Sequence, residues 1–125
     1  MKRVLSLVLA LVLTLTLAAC GDSSAKWQEQ YDLGQKYLTE GNYEEAILAF
    51  TAAIKIDPKQ PLAYVGRGDA YLGTAELAED GAAAWESAVA DYLAAIDLDG
   101  SQADAYYGAA EAYLALGDLD AAKDI

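Results

Sequence analysis

This 125-residue chain repeats itself, and that limits its fold more than any other feature. Gly34 and Tyr37 recur as Gly68 and Tyr71, at one common offset. Tyr64, Gly68 and Tyr71 recur as Tyr106, Ala110 and Tyr113, at a second and longer offset. At that longer offset Ala46, Phe50, Ala53 and Pro58 become Ala88, Tyr92, Ala95 and Gly100. Gly41-Asn42 returns as Gly117-Asp118, at the sum of the two offsets. One period of 34 with a single insertion of eight between Tyr71 and Ala88 reproduces every recurrence. Such a chain stacks similar units, each covering the apolar face of its neighbour.

Within a unit the apolar spacing is helical. Leu33, Tyr37 and Leu38 lie on one face of a first helix, and Ala46, Ile47, Phe50, Ala53 and Ile54 on one face of a second. Gly41-Asn42 breaks the chain between them, which gives an antiparallel helical hairpin. Gly34, Ala46 and Ala53 let the two backbones approach, while Tyr37 and Phe50 fill the volume beside them. Asp57-Pro58 stops the second helix, because proline restricts the preceding residue and has no amide donor. The units are 27–60, 61–102 and 103–125, the last one incomplete. In the insertion, Gly73 to Asp80 reads as an acidic loop, and helix formers from Ala82 start the next helix. Asp80 is placed to cap that helix. Trp85 takes the register of Tyr43 and packs at the helix start.

Leu33-Gly34-x-x-Tyr37, Ala46-x-x-x-Phe50, Ala53 and Pro58 together resemble the tetratricopeptide repeat, over about four-fifths of the chain. Gln30, where the family usually has an aromatic, and Gly100, where it has proline, depart from the pattern. The resemblance implies an all-α solenoid of about two and a half repeats whose first helices line a concave groove. The positions it assigns to that groove are Gln28, Tyr31, Gln35 and Leu38, then Leu62, Val65, Asp69 and Leu72, then Asp104, Tyr107, Glu111 and Leu114. Family members that serve chaperones grip a peptide's terminal carboxylate with lysine, asparagine and arginine. The matching positions here are Tyr31, Gln35, Gly66, Asp104 and Gly108, none of them basic. The expected partner is therefore a neutral or cationic extended protein segment, or a glycan stacked on Tyr31 and Tyr107. The alternative is that both tyrosines merely cover the groove floor. Reversing the charge of Asp69, Asp104 and Glu111 is expected to weaken capture and leave the fold intact.

The N-terminus carries a different message. Lys2-Arg3 precedes sixteen uncharged, mostly apolar residues, Val4 to Ala19, the pattern of a secretory signal peptide. Leu17-Ala18-Ala19-Cys20 resembles the bacterial lipobox. That resemblance implies cleavage after residue 19 and a diacylglyceryl group on the Cys20 sulfur, two chains where one anchors only marginally. Residues 20–26 then form the lipidated cysteine and a small polar tether. Loss of residues 1–19 leaves six basic against twenty acidic residues, so the lipid rather than charge holds the chain to a membrane. The expected location is extracytoplasmic, on the cell membrane or, in an organism with two membranes, on the outer one.

Composition closes off other functions. With no histidine and one cysteine, a disulfide framework, a Cys/His zinc site and histidine catalysis are excluded. A formal charge of −12 argues against nucleic-acid binding. Asp97, Asp99, Asp118 and Asp120 sit at helix ends with no burial to perturb them, and Glu44-Glu45 suit a helix start. Glu76, Glu79 and Asp80 lack the alternation of a calcium loop. No cofactor and no enzymatic activity is expected. The reading is a membrane-anchored interaction scaffold of the cell envelope. Its rivals are the assembly module of a longer envelope enzyme or transport component, and a self-associating structural lipoprotein.

Overall fold

The computed structural model describes residues 2–125, with side chains described from Gly21 onward. Among the described residues there are six helices and no strand: α1 (Lys2–Thr39), α2 (Tyr43–Ile56), α3 (Pro61–Leu77), α4 (Ala82–Leu98), α5 (Ala103–Ala115) and α6 (Leu119–Asp124). Successive helices pair as hairpins, and α3 packs on both α1 and α2 as α5 packs on both α3 and α4. The result is the expected solenoid of about two and a half repeats.

The hairpins are closed by the residues that repeat. Gly41 and Gly117 adopt φ of +76° and +78°, where a side chain would collide with its own carbonyl. At the first turn Asn42 N–H donates to Tyr37 C=O at 2.9 Å and Gly41 N–H to Leu38 C=O at 3.1 Å. Asp118 and Gly117 do the same to Tyr113 and Leu114 at 2.9 and 3.0 Å. These paired bonds satisfy carbonyls that the helix end leaves open. Between repeats, Asp57 accepts from Lys59 N–H and Gln60 Nε2, and Asp99 from Ser101 N–H and Gln102 Nε2. The Tyr64 hydroxyl donates to Pro58 C=O at 3.0 Å, and that of Tyr106 to Gly100 C=O at 3.2 Å. The glycine that replaces proline thus keeps the same loop, because the tyrosine latch uses only a backbone carbonyl.

The core is built from two buried rings set among small residues. Phe50 is fully buried, and a methyl group on Gly34 or Gly66 would lie 2.7 or 2.5 Å from its ring. Tyr92 is fully buried in the same way between Gly68 and Gly108. Each ring thus wedges between its own first helix and the first helix of the next repeat. Ala46, Ala53, Ala63 and Ala70 are fully buried, as are their equivalents in the next unit, Ala88, Ala95, Ala105 and Ala112. Burying a large ring contributes about 1.5–3 kcal/mol, available only if the backbones close to within a glycine of it.

Two expectations are corrected. The insertion is not a loop from Gly73 to Asp80: α3 continues to Leu77, and only Ala78–Gly81 is non-helical. Gly73 is buried against the Tyr43 ring, and Thr74 Oγ1 donates to Ala70 C=O at 3.0 Å. Packing on α2 therefore extends the helix through a glycine that propensity alone would treat as a stop. α4 begins at Ala82 as expected, with Asp80 accepting from the Ala82 N–H at 3.2 Å and Gly81 in the capping position. Second, Gly21 to Ala25 is helical and continuous with α1 rather than a flexible tether, and Asp22 pairs with Lys26 one turn on at 2.7 Å. Residues 1–19, on which the signal-peptide reading falls, and Cys20 lie outside the residues whose side chains are described.

Candidate functional site

The groove positions fall on the first helix of each repeat, and their exposure changes along the stack. On α1, Tyr31 stacks on the buried Trp27 at 5.0 Å with the planes 10° apart, and meets Phe50 edge-on at 5.8 Å. Gln35 Nε2 donates to the Tyr31 hydroxyl at 3.1 Å. Leu38 packs on the Phe50 cluster, and Gln28 is exposed and turned toward Asp32 of its own helix at 2.7 Å. Tyr31 is thus half-buried in an aromatic stack, not an open platform. On α3, Val65 is buried, Leu72 is half-buried on the second core cluster and Leu62 is exposed. On α5 the positions open to solvent: Asp104, Glu111 and Leu114 are exposed, and Tyr107 is 77% exposed.

Asp69 corrects the expectation of a freely exchangeable groove acid. It is half-buried and accepts a 2.6 Å hydrogen bond from the Tyr92 hydroxyl, the polar tip of the wedged ring. Burial pushes its carboxyl above the usual range. The Tyr92 hydroxyl opposes that shift, and the charges of Asp104 and Glu111 add to it. Tyr92 is itself raised, first by burial and then by Asp69. Lysine at position 69 would strip the buried hydroxyl of its acceptor, so reversal there disturbs the fold as well as the groove. Asp69 on α3 and Asp104 and Glu111 on α5 thus place three carboxyls at groove positions of neighbouring helices.

Arg67, which the repeat pattern does not single out, joins three helices. Its guanidinium donates twice to the buried Asp91 of α4, at 2.8 and 2.7 Å, and once to Thr51 of α2 at 3.1 Å. It also lies 5.9 Å from the centre of the Tyr64 ring. Asp91 raises Arg67, whereas burial raises Asp91 against the pull of Arg67. The pair ties α3 to α4 within the second repeat, the Thr51 bond reaches back to the first, and Arg67 is left no free charge for a ligand. Trp27 also escapes the sequence reading: it is 9% exposed, and its buried indole N–H has no acceptor among the described residues. Its aromatic partner four residues on, Tyr31, is the signal that could have found it.

Shallow clefts of 350 and 240 Å³ open between α2 and the end of α3 and between α1 and α2, and none of the groove positions lines them. Among the described residues no group of His, Cys, Asp or Glu is arranged to hold a metal ion.

Residues 34–74 match the TPR repeat family, and residues 82–123 match the tetratricopeptide repeat family. The second TPR domain of Spaghetti (RPAP3), bound to the HSP90 peptide SRMEEVD, is 31% identical with a TM-score of 0.75, covering 86% of this chain and 91% of that one. The second TPR domain of human RPAP3, in complex with the HSP70 peptide SGPTIEEVD, is also 31% identical, with a TM-score of 0.73 and coverage of 82% and 78%. The Yersinia enterocolitica type III secretion translocator chaperone SycD shares the fold at 21% identity and a TM-score of 0.70, covering 80% of this chain and 70% of that one. The chain belongs to the tetratricopeptide repeat family, a fold of protein–protein interaction modules, and no catalytic family is indicated.

Proposed function

We propose that this chain is a non-enzymatic interaction scaffold that captures a neutral or cationic extended peptide segment in the groove of α1, α3 and α5. The acidic field carries the reading. Asp69 on α3 and the exposed Asp104 and Glu111 on α5 occupy groove positions with no cation among those positions, and their like charges repel. A lysine or arginine would relieve that repulsion, and the exposed Tyr107 offers its ring face to the same cation. The peptides SRMEEVD and SGPTIEEVD bound by the two RPAP3 domains end in acidic residues. Here Tyr31, Gln35, Gly66, Asp104 and Gly108 supply no cation to receive such an end. Glycan stacking is less favoured, because Tyr31 is already engaged with Trp27. Capture from an envelope extract is expected to fall with Asp104→Lys and Glu111→Lys, both at exposed positions. Unchanged capture would remove the groove.

The scaffold is proposed to act outside the cytoplasm of a bacterial cell, held by diacylglyceryl on Cys20 after removal of residues 1–19. Lys2-Arg3, the apolar run and Leu17-Ala18-Ala19-Cys20 support this. Intact mass of the protein extracted from membranes in detergent tests it. A mature N-terminus at Cys20 bearing the lipid is expected, and a mass retaining residues 1–19 would contradict it.

A further inference from the structure

The inserted residues go mostly into helix rather than loop. α1 ends at Thr39 and α5 at Ala115, both in the register of Gly73, whereas α3 runs one turn further, to Leu77. α4 starts at Ala82, ahead of Trp85, which takes the register of Tyr43 at the start of α2. The second hairpin is therefore longer at this end than the first by about one helical turn, roughly 5.4 Å. The stacking of repeats is complete without that turn. The Tyr43 ring is already received at Gly73, and the backbone of Ala75 packs against Gly81. The added turn ends in Leu77, whose side chain is 78% exposed.

That turn walls one side of the 350 Å³ cleft, where Thr74, Leu77 and Ala78 face the segment Gly41 to Glu45. No groove position lines it. Its surroundings carry one sign of charge. Glu44 and Glu45 line it, Glu40, Glu76, Glu79 and Asp80 stand in the adjoining segments, and all six are exposed. No lysine or arginine occurs between residues 37 and 54 or between 68 and 122. α3 has no basic residue in its last turn, so its open carbonyls add partial negative charge beside Leu77. A helix start accounts for Glu44 and Glu45, and the Ala82 N–H for Asp80, but neither accounts for an exposed leucine on an added turn. We infer that this cleft docks a short segment of a partner protein in which one large apolar residue is flanked on both sides by lysine or arginine. The apolar residue packs against Leu77 and Tyr43, and the flanking cations meet Glu44 and Glu45 on one side and Glu79 and Asp80 on the other. The site is separate from the groove and does not rest on the groove reading.

The test is an NMR titration of the full isotope-labelled chain in detergent, carrying Glu111→Lys so that the groove is weakened. The probe is a short peptide with a leucine between two pairs of lysines. One control replaces the lysines with glutamate, and another replaces the leucine with serine. The lysine–leucine peptide is expected to shift the amides of Gly41, Asn42, Thr74 and Ala78, and the glutamate peptide to shift none of them. The serine peptide is expected to bind roughly tenfold more weakly. Leu77→Ser with Glu79→Lys, both at exposed positions, is expected to weaken binding by a similar factor with unchanged circular dichroism. The same titration with Glu111 intact reads the groove through the amides of α5; silence there removes the groove reading and leaves the cleft. No shift at the cleft, equal response to the lysine and glutamate peptides, or indifference to the double variant would overturn the inference. So would a dimer in sedimentation that Leu77→Ser dissolves, since the occupant would then be a second copy.

Discussion

Gly66 and Gly108 look like empty positions in a binding groove, yet each is where a buried ring needs its room. In a helix interior, alanine should gain roughly 1 kcal/mol over glycine by propensity alone. A methyl on Gly66 would meet the Phe50 ring at 2.5 Å, and that ring is fully buried and cannot retreat. Overpacking of this kind costs about 1–3 kcal/mol and prevails. Gly66→Ala and Gly108→Ala are therefore expected to lower the urea midpoint. Asp69 gives a prediction with a sign. Its carboxyl titrates above the ordinary value in the folded chain, so the folded state binds that proton more tightly than the unfolded one. Its ionisation then removes stability as pH rises from about 4 through the raised value. An amide in its place cannot ionise and still accepts from Tyr92. Relative to the wild type, Asp69→Asn is expected to gain thermal midpoint between pH 4 and pH 7; a constant difference would contradict the burial argument.

At the scale of the elements, helices end where backbone geometry requires and begin where packing requires. Gly41 holds a left-handed turn, so Gly41→Ala is expected to cost about 1 kcal/mol in chemical denaturation, with nothing nearby to clash. Arg67 and Asp91 tie α3 to α4, with Thr51 of α2 as a third point. Removing one partner strands the other, so Asp91→Ala is expected to cost about 3 kcal/mol, and the double change Arg67→Met with Asp91→Leu to recover most of it. A double-mutant cycle with no recovery would show that the pair is more than a register lock. Hairpins, turns and the start of α4 were legible in the sequence because each rests on local residues: Gly41-Asn42, Asp57-Pro58, and the alanines from Ala82. The extension of α3 was not. It depends on Tyr43, far back on α2, covering Gly73, and no local signal carries that. The roles of Asp69 and Arg67 were hidden for the same reason, since their partners Tyr92 and Asp91 lie on another helix.

For the whole molecule, the stack turns a row of modest contacts into a surface with a direction. On α1 and α3 the groove positions other than Gln28 and Leu62 are buried or half-buried, whereas all four on α5 are exposed, so the accessible part of the groove lies toward the third repeat. The net charge of −12 would draw the proposed cationic partner at long range, an attraction that salt screens. The measurement that tests the account most directly is a paired titration of the full chain in detergent. An extended peptide carrying lysine and leucine is set against SRMEEVD, each at low and physiological salt. The account predicts binding of the basic peptide, weakened by salt and by Glu111→Lys, and none of SRMEEVD. Tight binding of SRMEEVD, with the basic peptide ignored, would contradict it.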